Sequence, residues 1–425
     1  MIAGWQWLLL IVTRQFWFRA ALFSLAGVVA AGSAILLAPY VPRALTTKIG
    51  SDAIDEILTL IASSMLAVAV FSLSTIVSAY GAATSSVTPR ATKLLMDDTT
   101  SKNVVGTFVG AFLYSLVGII ALGTGLYGRE GRSILLGFTI VLIVVIAVTL
   151  LRWVDYLAGF GRVTETIGLV EKAAAEAFAR WREHPQLGAM PFAHDEIPDD
   201  AVPVPGPIGY VQHVDVEAIE ACAKERGVLV FIVATPGAFI GPRQPLAFVA
   251  SAPGVAPGVG ADEQRDEAIR DAIGIGDART FEQDPRFGLS VLAEIASRAL
   301  SPAVNDPGTA IDVIGRAVRL LAAWGEAGEG DEAAAQCTHV CIAPLATADL
   351  FDDVFSPIAR DGASMVEVQM RLQKALASLA TLPRGGFADA ASRHAALSVA
   401  HAEAAMRLEE EKQVIRTLAA RVGAA

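Results

Sequence analysis

Four stretches of this chain contain no Asp, Glu, Lys, Arg or His: Ala20 to Ala38, Ile57 to Ala83, Asn103 to Gly128 and Ser133 to Leu151. A helix rises about 1.5 Å per residue and the hydrocarbon core of a bilayer is about 30 Å thick, so roughly 20 apolar residues suffice to cross it. In lipid only a helix or a closed barrel satisfies every backbone N–H and C=O internally, and an unbroken apolar run such as ILLGFTIVLIVVIAVTLL reads as helix. The expectation is a membrane α-helical fold, with four transmembrane helices followed by a mixed α+β, mainly helical cytoplasmic region. The spans are placed at about 17–38, 57–83, 103–128 and 133–153, within a domain of residues 1–162. A cleaved signal peptide, with Arg14 and Arg19 as its basic flank, competes for the first run, but that run is longer than the about 7 to 15 apolar residues such peptides use.

Composition supports the same class. Of 425 residues 53% are hydrophobic and only 18% charged, more apolar surface than one aqueous globule hides. Residues 1–162 carry 11 Lys/Arg against 7 Asp/Glu, a balance of +4, whereas residues 163–425 carry 22 against 37, a balance of −15. An acidic polar half excludes nucleic acid as a partner, because counterion release needs clustered basic groups. Positive flanks are retained on the cytoplasmic side. With four crossings Arg14, Arg19, Arg90, Lys93, Lys102, Arg152 and Arg162 share one side and Arg43, Lys48, Arg129 and Arg132 the other, which places both termini in the cytoplasm. Cys222, Cys337 and Cys341 are then free thiols in a reducing compartment.

The second span carries more hydroxyls than a purely lipid-facing helix needs. Ser63, Ala67, Val70, Ser74, Ser78, Gly81 and Ser85 follow steps of three and four and so share one helical face. Such a stripe of small residues serves either a close helix contact or the wall of an axial aqueous path. Gly106 and Gly110, at the start of the third span, have the small-xxx-small spacing of a packing face. Between these spans Pro89 is expected to break or kink the helix, and Arg90, Lys93 and Lys102 to meet the headgroups beside an interfacial turn at Leu94–Met96. The alternative there is a solvated loop with snorkelling cations.

After residue 162 the expected order is an amphipathic helix and linker over 163–205, a small β-containing module over 206–260 and a mainly helical domain over 261–425. Strands are expected at Gly209 to Val214, Val228 to Ala234 and Leu246 to Ala250, with a helix at Val216 to Arg226. Asp284-Pro285 and Asp306-Pro307 each combine an N-capping carboxylate with proline at the first helical position, which predicts two paired helices. Asn305 and Asp306 are the one candidate loop site for a cation or phosphate-bearing ligand, with capping as the simpler account of Asp306. Cys337, His339 and Cys341 would share one face of a strand, but no fourth ligand accompanies them, so no metal is assigned. Asp199-Asp200 and Asp352-Asp353 read as solvated loop charges, and Gly362 to Leu382 and Ala388 to Ala420 as two amphipathic helices. No phosphate loop, dinucleotide fingerprint, nucleophile elbow or zinc-protease motif is present, so no catalytic residue and no cofactor is assigned.

TPRATKLLMDDTTSKNVVGTFVGAFLYSL and RTFEQDPRFGLSVLAEIASRALSPAVNDPGTAIDVI resemble a widespread family of predicted bacterial inner-membrane proteins, a domain of unknown function, over nearly the full chain. The resemblance implies a multispanning inner-membrane protein with a cytoplasmic C-terminal region, and it supplies no substrate, reaction or cofactor. The leading functional expectation is a homo-oligomeric channel or permeation protein, with the bilayer, further copies of the chain and ions as its partners and the cytoplasmic region as a regulator. The alternative is a non-conducting scaffold or sensor that binds cytoplasmic partners.

Overall fold

The computed structural model describes residues 51–96, 98–124, 129–159, 161–252, 260, 262–326 and 335–423, together with eight helical positions between 18 and 32. The chain divides into two compact units, Met1–Thr166 and Ile167–Ala425.

The first unit consists of helices α1 (Ser51–Ser86), α2 (Pro89–Met96), α3 (Thr99–Gly123) and α4 (Arg129–Gly159). Among the described residues three helical segments are long and apolar enough to cross a membrane, Ala53–Ala82, Pro89–Gly123 and Gly131–Gly159. This corrects the expected count of four. The expected first span at 17–38 falls, apart from those eight positions, outside the described residues, and it provides no continuous described helix of spanning length. The parity argument that placed both termini on one side loses its basis with the count.

Ile54, Leu58, Ile61, Met65, Ala69, Ser72 and Ile76 form the buried face of α1, packed with Val104, Val105, Phe108, Ala111 and Tyr114 of α3. The two helices approach closely at Gly118, where a Cβ would lie 2.9 Å from Leu58 Cδ1. From α4, Leu135, Leu142, Ile146 and Trp153 complete this core, while Ile140, Val141, Val144, Leu151 and Val154 face outward, as lipid-facing positions do. Pro89 does not kink a long helix. It starts the eight-residue α2, and Thr88 Oγ1 accepts the Ala91 N–H at 3.4 Å, in keeping with proline's fitness for the first helical position.

The second unit opens with most of helix α5 (Val163–Glu183) and continues with a β region and a helical region. Strands β1 (Met190–Pro191), β2 (Val202–Pro205), β3 (Gly209–Val214), β4 (Val228–Ile232), β5 (Phe239–Ile240), β6 (Pro245–Ser251), β7 (Ile273–Gly276) and β8 (Val340–Ile342) build two sheets. The five-stranded sheet has the order β1-β8-β4-β6-β2, parallel at β1-β8 and β8-β4 and antiparallel elsewhere; the three-stranded sheet, β5-β3-β7, is antiparallel. Val204, Val230, Ile232, Leu246 and Val249 of the first meet Val211, Val214 and Ile273 of the second in one core. Helices α6 (Val216–Arg226) and α7 (Glu263–Asp271) cover it with Ile219, Ala223 and Ile269.

Helices α8 (Pro285–Ala299), α9 (Pro307–Gly325), α10 (Thr347–Asp361), α11 (Val366–Leu379), α12 (Phe387–Ala405) and α13 (Glu409–Ala419) form the rest. The short link between α8 and α9 lays the second back on the first, as the paired cap signals predict. Three local expectations need correction. Asp352 and Asp353 lie on α10 rather than in a loop. The helix expected over 388–420 breaks at Met406, where extended backbone (ψ 146°) buries its side chain against Val366, Met370 and Val399. Cys337 and Cys341 do not share a face: the strand is only three residues long, Cys337 joins the main core, and Cys341 packs on the other side of the sheet with Phe192 and Phe231.

Candidate functional site

The stripe on α1 gains its meaning from the helix it does not touch. The packing face runs 54, 58, 61, 65, 69, 72, 76 and the stripe runs 63, 67, 70, 74, 78, 81, 85, the same steps displaced by nine residues. Nine residues at about 3.6 per turn are two and a half turns, so the stripe lies half a revolution from α3. Ser63, Ser74, Ser78 and Gly81 are accordingly exposed; of Ser85 only the helical backbone is described. Large apolar side chains, Leu60, Leu66, Phe71, Leu73 and Val77, flank the stripe and are also more than half exposed, apart from Leu66 at 46%. The Ser63 hydroxyl returns its hydrogen bond to the Leu60 carbonyl at 3.1 Å, the way a membrane helix satisfies a hydroxyl locally.

One end of the unit is organised by polar groups. Asp98 caps α3, taking the Ser101 N–H at 2.9 Å and the Tyr156 hydroxyl at 2.7 Å on the same oxygen; Ser101 Oγ donates to Tyr156 Oη at 3.2 Å. Trp153 stacks on Tyr156 at 5.6 Å. Tyr80 of α1 donates to the Leu95 carbonyl at 3.5 Å. These bonds place the end of α1, the start of α3 and the end of α4 together. The cluster was missed in the sequence, although Asp98 before TTS is a capping signal. Pro89, Arg90 and Lys93 are exposed on α2 and Lys102 is half-buried, while Gly106 and Gly110 are buried in α3.

Asn305 and Asp306 sit in the α8–α9 link. Asn305 adopts a left-handed conformation (φ 52°), which asparagine tolerates better than most residues, and its N–H donates to the Ser301 carbonyl at 2.8 Å. Asp306 accepts the Thr309 hydroxyl at 2.6 Å and its N–H at 3.1 Å, and these two bonds hold its carboxyl below the ordinary range. Both residues are exposed and employed in the turn. Buried Glu220 of α6 ties down the start of β8: it accepts the N–H groups of Thr338 (3.0 Å) and His339 (2.8 Å) and pairs with Lys224 (3.1 Å). Burial works to raise this carboxyl, but the backbone donors of His339 and Thr338, with Lys224, hold it below the ordinary range. Among the described residues no group of three His, Cys, Asp or Glu side chains is arranged to hold a metal ion.

A family model described as "Predicted membrane protein (DUF2254)" matches residues 13–378. An uncharacterised protein of Mycobacterium bovis (strain ATCC BAA-935 / AF2122/97) is 37% identical over 150 residues, 35% of this chain and 27% of the relative. An uncharacterised protein of Mycobacterium tuberculosis (strain ATCC 25618 / H37Rv) has the same identity and coverage. The chain thus spans about a quarter of the length of these curated relatives. No solved structure matches.

Proposed function

The chain belongs to the DUF2254 family of predicted membrane proteins, and from that premise we propose that it is a homo-oligomeric permeation protein whose α1 helices meet around a common axis. One observation supports the proposal: the hydroxyl-bearing stripe lies half a turn from the face that α1 buries among the described residues. A stripe serving contact inside one copy would lie on or beside the buried face. Small side chains on the opposite face allow copies to approach closely and give a narrow path weakly polar walls, with Leu60, Leu66, Phe71 and Leu73 filling the flanks.

The orientation proposed with it does not depend on how many spans precede α1. The end that gathers the start of α3 and the end of α4 carries Arg90, Lys93, Lys102, Arg152 and Arg162, and an excess of such flanking cations favours the cytoplasm. The C-terminal unit follows α4 and is assigned to that side, where its acidic balance would raise the local concentration of cations.

Purified protein in planar bilayers tests the reading. Conductance that Ser74→Leu or Ser78→Leu reduces supports it. Silence across voltage, tension and salt refutes it and favours a scaffold that binds partners through the C-terminal unit.

A further inference from the structure

The C-terminal unit is acidic, but one part of it carries no carboxylate. Asp and Glu make up about one residue in seven over 163–425, yet none occurs over 201–214 or 227–261, and the one Lys or Arg in those two segments is Arg243. Core strands account for the apolar positions that are buried there. The exposed ones need another cause.

Two loops bring those exposed residues together. The pairing of β3 with β5 sets Gly209 opposite Ile240 and Tyr210 opposite Phe239, so the link into β3 and the turn out of β5 leave the sheet side by side. The same two segments also join β2 and β6 of the other sheet, where Pro205 pairs with Pro245. Between them Gly206 passes so close to Leu246 that a Cβ would lie 2.4 Å from its Cγ. At this end Ile208 is 62% and Phe239 54% exposed, and Pro207, Pro242 and Arg243 are exposed with them. Phe239 is held in place, its ring edge to face with the half-buried Tyr210 at 5.0 Å. Large apolar side chains grouped on a surface in this way mark a contact.

The turn holds its cation under strain. Gln244 N–H donates to the Gly241 carbonyl at 3.2 Å, and Gln244 Oε1 accepts the Gly241 N–H at 2.7 Å. Pro242 and Arg243 are the two central residues, and Arg243 stands at φ 66°, the position that a type II turn gives to glycine or asparagine. An arginine kept where glycine would be unstrained points to a use for its charge. Asp277, which follows β7, lies two strands from Phe239, about 10 Å across the sheet.

We propose that this end of the β region docks on an anionic bilayer surface, with Ile208 and Phe239 entering the headgroup layer and Arg243 meeting lipid phosphates. Aromatic and apolar side chains beside a cation are the chemistry of an interfacial anchor. Carboxylate-rich faces of the same unit are repelled by such lipids, so the surface selects this end. Five residues fall far short of the roughly 20–30 per side of a stable protein interface, which argues against a second copy. They suffice for a chain already fixed in the membrane, because tethering makes the contact intramolecular. The contact stands whether or not the protein conducts.

The test uses the full chain in phosphatidylcholine vesicles, with or without phosphatidylglycerol as a third of the lipid, doped with nitroxide-bearing lipid. A fluorophore is carried on Pro207→Cys in a Cys222→Ser background, since Cys337 and Cys341 are buried. The reference carrier is Glu225→Cys near the end of α6, beside the start of β4 and so at the opposite end of the sheet from the turn. Quenching at 207 is expected to be about fivefold stronger in anionic than in neutral vesicles, the weight of one cation near such a surface, and absent at 225. Arg243→Gly should abolish the dependence on lipid charge without lowering the melting temperature, because glycine relieves the left-handed position. Arg243→Lys and Arg243→Gln, equally strained, should keep and lose that dependence respectively. Phe239→Ser should weaken quenching in both vesicles. Quenching at 207 no greater than at 225 overturns the proposal, as does quenching that ignores lipid charge or keeps its dependence in Arg243→Gln. A 207 label shielded from aqueous iodide but untouched by lipid nitroxide also overturns it, in favour of a protein partner or a second copy.

Discussion

Asp284 offers a quantitative test of how the C-terminal unit is held. Its side chain is 2% exposed and both oxygens are employed: Arg279 donates to Oδ2 from Nε at 2.8 Å and to Oδ1 from Nη2 at 3.0 Å, and Oδ1 also caps α8 by accepting the Phe287 N–H at 3.0 Å. The turn at Gly237 (φ 91°) closes directly over it, at a position where a Cβ would lie 2.1 Å from Oδ2. Asp284→Ala removes the cap, worth about 1 kcal/mol, and strands Arg279. Losing one partner of a fully buried pair costs about 3–5 kcal/mol. Arg279, however, retains 23% side-chain exposure and lies 5.0 Å from the Phe287 ring centroid, so water recovers part of that. The expected total is about 2–4 kcal/mol. Asp284→Asn keeps an acceptor for the Phe287 N–H but loses the charge and, with its amide NH2 in place of Oδ2, the acceptor for Arg279 Nε, so it spares the cap alone and its cost should be smaller by about 1 kcal/mol, the worth of the cap.

Hydrogen exchange of the full chain in micelles, followed by mass spectrometry over residues 285–299, resolves the two variants at their own helix. A companion variant checks the electrostatics. Burial pushes the Asp284 carboxyl above the ordinary range even with Arg279 opposing it. A carboxylate whose folded pKa is raised stabilises the fold at low pH and loses that contribution as pH rises. Arg279→Gln removes the opposition, so the deficit of that variant should grow between about pH 4 and pH 7. Equal losses for Ala and Asn would refute the capping role, and a pH-independent deficit in Arg279→Gln would refute the buried-charge argument.

Three further outcomes are expected. His394 is 1% exposed, and burial together with neighbouring Arg393 depresses its pKa, with Asp352 Oδ1, 3.1 Å from Nε2, opposing. The unfolded chain therefore takes the proton first, and stability should fall as pH drops below about 6.5, before most carboxylates titrate; thermal melts of wild type and His394→Gln, the variant lacking that limb, check it. Maleimide should label half-buried Cys222 of the native protein in preference to Cys337 and Cys341, because both are buried and burial pushes the Cys341 thiol up to about 11; peptide mapping after alkylation at pH 7.5 decides this. Gly118→Ala should cost little, since only the end of the Leu58 side chain must move, whereas Gly118→Leu should separate α1 from α3 and lower the melting temperature in micelles.

What could be read from the chain beforehand was local chemistry. The caps at Asp284 and Asp306 are carboxylate–proline pairs acting over three residues, and the strands at 209–214, 228–232 and 245–251 announce themselves by composition and bounding turns. What escaped was decided at a distance. β8 enters the sheet from residue 340 to lie parallel to β4, a pairing that no local pattern encodes. Helix α10 was hidden by Pro357 within it and by an Asp352-Asp353 pair that looks like a loop until Arg286 and Arg393 are placed beside it. The docking face joins Ile208 to Phe239 and Arg243 through the pairing of β3 with β5, which neither segment announces on its own.

The stripe on α1 lies between these cases. Its periodicity is a property of one helix and was legible, but periodicity fixes only that Ser63, Ser74, Ser78 and Gly81 share a face; what they face depends on which other side of the cylinder is occupied. Once Leu58, Met65, Ala69 and Ser72 are buried against α3, helical geometry leaves the stripe pointing away. If copies meet there, cysteine introduced at Ser74 should crosslink chain to chain under mild oxidation in native membranes, and cysteine introduced at Ala69 should not, because that position is enclosed within its own copy. The reverse pattern, or crosslinking from neither position, would leave the outer face of α1 to lipid and remove the support for an axial assembly.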